Sequence, residues 1–176
     1  IVYRHQYIAA RLREMDERDR AIALARQLAT AQVEPHFLFN SLASLQQWVN
    51  VGDARAAPLL ASLTSYLRAT LPLFELRELS LAQELEAVRR YLEVMQARWG
   101  DRLHFAIEAA PEVQSARLPP GVLLTLVENA VEHGVGPQLS GGEVRVQACR
   151  LHTGEVQIDV LDDGAGLPAP HVLAQA

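Results

Sequence analysis

Residues 24–49 and 81–99 each carry apolar side chains at alternating steps of four and three, a rhythm that commits both stretches to helices packed along a seam. The first seam runs Leu24, Leu28, Ala31, Pro35, Leu38, Leu42, Leu45, Val49; the second runs Leu81, Leu85, Val88, Leu92, Met95, Trp99. Upstream, Arg4 to Arg20 is dense in charge and places Ile8, Leu12, Met15 and Ile22 in another phase, so residues 1–22 read as a coiled-coil helix joined to the first seam through an irregularity. Gly52 closes the first seam helix, and Asp53 is expected to cap a second helix carrying Leu59, Leu60, Leu63 and Leu67. After a break near Pro72, Ser80 and Gln83 form a capping box and Gly100 ends the helix that follows. Two such hairpins complete a four-helix bundle, so a homodimer is expected.

Past Gly100 the period becomes two. Leu103, Phe105 and Ile107 alternate as a strand before Pro111, and Val144/Val146/Ala148 and Val156/Ile158/Val160 form two more strands joined at Thr153-Gly154. Between them Pro119 and Pro120 suit the start of a helix over 123–133, with Gly134 as its end. The fold class is α and α+β: a helical domain over 23–100, then a small α/β layer over 101–176.

Composition narrows the chemistry. A hydrophobic fraction of 49% supplies these cores, and a net charge of -5 gives no general attraction to nucleic acid or anionic lipid. All 16 basic residues are Arg, which excludes a P-loop lysine, a eukaryotic-type protein-kinase lysine and a Schiff-base lysine. Cys149 stands alone, so neither a disulfide framework nor a Cys-x-x-Cys zinc pair exists, which fits a reducing, cytoplasmic setting. No apolar run reaches the ~20 residues of a membrane span. The chain opens at Ile1 rather than Met and closes after a glycine-rich turn, and so reads as a piece of a longer protein with any membrane anchor upstream of residue 1.

Three strings carry candidate chemistry. Taking Pro35 and Leu42 as a positions puts His36 at b and Asn40 at f, both outward. A histidine there is ordinarily a packed or solvated side chain, but a mid-helix Pro35 costs ~3 kcal/mol and points to a site instead. Asn129 and His133 share a helix face, with Thr125 one turn before; the bland reading is a solvated helix end. Asp162 keeps the parity of Val156, Ile158 and Val160, so its carboxylate emerges on the core face of the last strand. The bland readings there are a surface turn or a calcium loop, and the latter lacks the spaced acids and distal Glu.

Pro35-His36-Phe37-Leu38-Phe39-Asn40, with Gln32 before it, resembles the phosphoacceptor motif of LytS/YehU-type sensor histidine kinases. Glu84-Leu85, Tyr91-Leu92 and Arg98-Trp99-Gly100-Asp101-Arg102-Leu103 resemble that family's second block, and Glu128-Asn129-Ala130-Val131-Glu132-His133-Gly134 its asparagine box. Asp162-Asp163-Gly164-Ala165-Gly166 is similar to the first glycine box of the Bergerat ATP-binding fold, and residues 1–22 resemble a generic signalling helix. The resemblance implies a helical-hairpin dimerisation domain followed by an α/β-sandwich ATP-binding domain, with His36 accepting phosphate from ATP. Gln32 and Asn40 would orient that histidine, Asn129 would hold Mg²⁺, and Glu128, His133, Asp162, Gly164 and Gly166 would line the nucleotide. It further implies a homodimer, a response regulator of LytTR type as partner, no nucleic acid, and the cytoplasmic portion of an inner-membrane protein.

Three departures qualify the carry-over. The family's later glycine segment is not among these residues, Phe37 follows His36 where many histidine kinases have an acid, and Thr125 stands where ATP-hydrolysing relatives place a Glu. The rival readings are a catalytically silent dimerisation module that senses nucleotide, and a coiled-coil adaptor that explains the seams but none of the boxes.

Overall fold

Glycines and capping side chains set most of the element boundaries, and the computed structural model describes residues 35–164. The helix expected at 1–22, the seam residues Leu24, Leu28 and Ala31, and the site residues Gln32 and Gly166 lie outside the described residues. Compactness divides the chain into Ile1–Phe39 and Asn40–Ala176.

In the first unit the described residues open helix α1, Pro35–Val51, with Pro35 and His36 exposed, Phe37 and Leu38 buried and Phe39 outward. In the second unit α1 buries Ser41 and Trp48, whereas Leu42 is 48% and Val49 61% exposed. Of the expected seam, Leu38 is covered, whereas Leu42 and Val49 are not. Adjacent helical positions are about 100° apart, and the larger Trp48, with the Arg55 guanidinium 4.4 Å over its ring, takes the inner place. Gly52, at φ +68, ends α1.

Asp53 caps the turn rather than the helix that follows: its Oδ1 accepts the Arg55 N–H at 2.9 Å, and helix α2, Ala56–Thr70, begins one residue later. The Arg55 guanidinium, bonded to the same carboxylate at 2.6 Å, holds Asp53 down at about 2. Leu59, Leu63, Tyr66 and Thr70 form the buried row of α2, and Leu60, expected inside, is 52% exposed.

Ser80 and Gln83 form the expected reciprocal cap at the head of helix α3, Leu81–Trp99, and Gly100 at φ +63 ends it. Leu81, Leu85, Val88, Leu92 and Met95 are all buried. So are Glu84, Ala87, Tyr91 and Val94, because α3 is covered on two sides: α2 packs along one, and the α/β layer along the other.

That layer holds two sheets among the described residues. Strand β1, Leu79–Ser80, pairs antiparallel with β3, Arg117–Leu118, and the adjoining chain takes the first free amides of α3, Leu81 N–H to Ala116 O and Ala82 N–H to Gln114 O. Strands β2 (Leu103–Ala109), β4 (Gly142–Arg150) and β5 (Val156–Asp162) form a sheet in the order β2-β4-β5, parallel between the first pair and antiparallel between the second. Helix α4, Val122–Asn129, starts from Gly121 at φ +79 and continues as a π-helical stretch, Ala130–Val135. Gly134 is thus not the helix end that sequence suggests.

Candidate functional site

The site is assembled around α4, and its anchor is a residue to which sequence reading gave no role. Glu84 of α3 is 1% exposed, and its carboxylate accepts the Gly121 N–H at 2.6 Å and the Leu123 N–H at 3.1 Å. A helix start leaves several amides without intrahelical acceptors, and a carboxylate there both satisfies them and meets the positive end of the helix dipole. The signal was an acid beside a long apolar seam, but its partners lie 37 and 39 positions downstream.

Leu123, Leu124, Val127, Ala130 and Val131 face inward, which leaves Thr125, Asn129 and His133 exposed. The Thr125 hydroxyl donates to Gly121 O at 2.9 Å. The wider π turn, seen in the Gly136 N–H to Val131 O bond of 2.7 Å, carries the chain from Asn129 to Gly134. Glu128 is rotated away from this exposed row: it is half-buried and its Oε1 is sealed from solvent. That orientation sets it apart from the exposed Asn129 and His133, with which the family resemblance groups it.

Register brings the last strand to the same place. Val144 pairs with Phe105 on one side and Asp162 on the other, so Asp162 ends the row of Ile158 and Val160 on the covered face, as its parity requires. Gly134 is buried against it, and a Cβ at Gly134 would lie 2.7 Å from Asp162 Cγ. Likewise a Cβ at Gly164 would run into the backbone of Gly134. Two bare glycines are what let the end of the asparagine helix and the turn after β5 touch. The turn is held: Asp162 Oδ1 accepts the Gly164 N–H at 3.0 Å, and Asp163 Oδ1 accepts the Glu143 N–H at 2.6 Å.

The structure therefore brings Gly134, near the end of the helical stretch that carries Asn129 and His133, against Asp162 and Gly164 in the second unit. His36 is exposed on α1, and Asn40, one turn on, is half-buried, with its carbonyl accepting the Ser44 hydroxyl at 2.9 Å. Among the described residues no cluster of three or more His, Cys, Asp or Glu gathers to hold a metal. What the site offers a cation is the exposed amide oxygen of Asn129, which suits Mg²⁺ that keeps most of its waters and takes phosphate oxygens.

The family model for histidine kinase matches residues 24–103, which contain the whole of α1, α2 and α3. The sensor protein LytS of Enterococcus faecalis is 33% identical over 138 residues, covering 78% of this chain and 23% of that protein. Residues 24–103 belong to the histidine kinase family. Another LytS, the sensor histidine kinase/phosphatase of Staphylococcus aureus, is 33% identical over 137 residues, 78% of this chain and 24% of its own. The chain thus spans about a quarter of the length of the curated relatives it matches. The histidine kinase domain of the Erythrobacter litoralis blue-light activated histidine kinase superposes with a TM-score of 0.43 at 19% identity, covering 85% of this chain and 74% of that one. No helix among the described residues is long and apolar enough to cross a membrane.

Proposed function

We propose that this chain is the kinase core of a sensor histidine kinase, which moves the γ-phosphoryl group of ATP onto His36 and from there to an aspartate of a response regulator. The observation that supports the reading is the contact of Gly134, near the end of the helical stretch carrying Asn129 and His133, with Asp162 and Gly164. In this reading Asp162 accepts a hydrogen bond from the adenine amino group, and His133 meets phosphate oxygens. Asn129 would hold Mg²⁺, which would supply positive charge against those phosphates. A neutral nitrogen of His36 attacks the γ-phosphorus, forming an N–P bond as the bond to the bridging oxygen breaks and ADP leaves. Gln32 and Asn40, a turn to either side, orient the imidazole. The engagement of the Thr125 hydroxyl with Gly121 O supports transfer over hydrolysis, since no acid stands there to activate water.

The exposed apolar row of Leu42 and Val49 supplies surface that a second copy of the chain would cover, in keeping with a homodimer. The regulator, of LytTR type in this reading, the membrane anchor upstream and the cytoplasmic setting follow from the family resemblance. The division into a signalling helix, a dimerisation domain to Gly100 and an ATP-binding domain beyond it belongs to the same proposal.

Titration of the full-length protein with ATP and Mg²⁺ tests the nucleotide half of this reading. Asp162→Asn exchanges an anionic acceptor for an amide that also presents a donor, and is expected to weaken ATP binding by about 2 kcal/mol. Unchanged affinity takes Asp162 out of the site. ATP binding without phosphoryl transfer establishes instead the silent, nucleotide-sensing module.

A further inference from the structure

The transfer chemistry proposed above uses nothing from the block Arg98 to Leu103. Within it Arg102, the last residue before β2, is half-buried, and its guanidinium carbon lies 5.7 Å from the centre of the Trp99 ring. The Arg102 Nη2 donates to Gln138 O at 2.8 Å, across 36 positions of sequence. Its Nε is sealed from solvent and has no hydrogen-bond partner among the described residues. A solvated surface arginine keeps its donors in water, so this one is held in place although a donor goes unmet. Gln138 stands in the loop between the π-helical stretch and β4. Its N–H donates to Val135 O at 3.0 Å and its carbonyl also accepts the Gly141 N–H at 3.1 Å, so the loop folds around this residue. The loop is pressed on the block as well: a Cβ at Gly136 would lie 3.3 Å from Trp99 Cη2, and one at Gly141, where φ is +77, would run into the Arg102 backbone. On its other side the Gln138 Nε2 donates to Asp163 O at 3.2 Å, and a Cβ at Gly142 would run into the Asp163 carboxylate. Two bonds thus run in series from Arg102 through Gln138 to the peptide that joins Asp163 to Gly164.

Gly134 and Gly164 let the turn after β5 touch the asparagine helix, but a missing Cβ only permits an approach; directional bonds select one geometry. We propose that Arg102 and Gln138 are positioning residues, a clasp that fixes this turn and with it the place of Asp162 for nucleotide. The inference rests on the adenine role given to Asp162 above.

The test uses the full-length protein with Gln138→Ala, which removes the donor to Asp163 O but leaves the carbonyl that Arg102 holds, with Arg102→Ala and Arg102→Lys, and with the double alanine variant. Without nucleotide, amide hydrogen exchange at Asp163 and Gly164 should quicken in Gln138→Ala and stay unchanged in the centre of α3. ATP affinity should fall about threefold in Gln138→Ala, as for one neutral bond, and about tenfold in Arg102→Ala, which loses a charge-assisted one. Arg102→Lys keeps a charged donor and should recover part of that loss. Phosphoryl uptake at saturating ATP should match the unsubstituted protein throughout, since the clasp places nucleotide and touches no reacting atom. The double should be no weaker than Arg102→Ala, because links in series break once. Unchanged exchange or unchanged affinity in Gln138→Ala would overturn the proposal. So would losses that multiply in the double, or a loss that only follows the fraction of unfolded protein. Asp162→Asn in the same titration separates the two levels: if it binds ATP as the unsubstituted protein does, the role of Asp162 is wrong and the proposal falls with it. If it loses affinity while Gln138→Ala keeps it, only the clasp fails.

Discussion

Gly164→Ala should abolish ATP binding while the helices stay folded. The added Cβ would fall inside the backbone of Gly134, and backbone, unlike the end of a flexible side chain, has no rotamer by which to give way. Overpacking of this kind costs about 3 kcal/mol, and the chain can escape it only by lifting the turn after β5 from the asparagine helix. Lifting the turn carries the Asp162 carboxylate away from Gly134 and the end of that helix. Either way, about 3 kcal/mol is a loss of more than a hundredfold in affinity. Calorimetry should find no ATP binding in the range where the unsubstituted protein saturates, with an unchanged far-ultraviolet helix signal. Full affinity would mean that the turn and the helix do not meet in solution.

Glu84→Ala should be the most destabilising single change where α3 meets the α/β layer. It leaves the Gly121 and Leu123 amides buried without their acceptor, and each charge-assisted bond of this type is worth about 1.5–3 kcal/mol. The total expected loss is about 4 kcal/mol, or roughly 15 °C in melting temperature for a unit of this size. Glu84→Gln keeps the shape and one acceptor oxygen but turns an NH₂ toward a second donor, so about half of that loss should remain. Thermal melts of the two variants against the unsubstituted protein check the order. Equal melting temperatures would show that water or another group replaces the carboxylate.

How much of this was legible depends on the range over which each residue acts. Ser80 with Gln83, the positive-φ glycines Gly52 and Gly100, and the seam from Leu81 to Met95 act within a turn or two, and all stand where sequence puts them. The parity of Asp162 follows from Val160 two residues before it. Burial decided across the chain was not legible. Trp48 displaced Val49 from the inner row of α1, and Tyr66 took the place expected for Leu60 and Leu67 in α2, because partner surfaces rather than period choose between neighbouring rows. Gly134 read as a helix end since glycine usually marks one; its real reason, the approach of Asp162 and Gly164, lies about 30 positions downstream. Glu84 stood out only as a member of a resembling block; its role was hidden for the same cause, since the amides it binds lie 37 and 39 positions downstream.

The central claim is that His36 takes the phosphoryl group, and mapping that group tests it most directly. Incubation of the full-length protein with ATP labelled at the γ position should give label that is stable to alkali and lost in acid, as a phosphoramidate is. The label should reside on the peptide containing His36 and be absent from His36→Gln, which should still bind ATP. Acid-labile label on His36→Gln would contradict the account by showing that another residue is the acceptor.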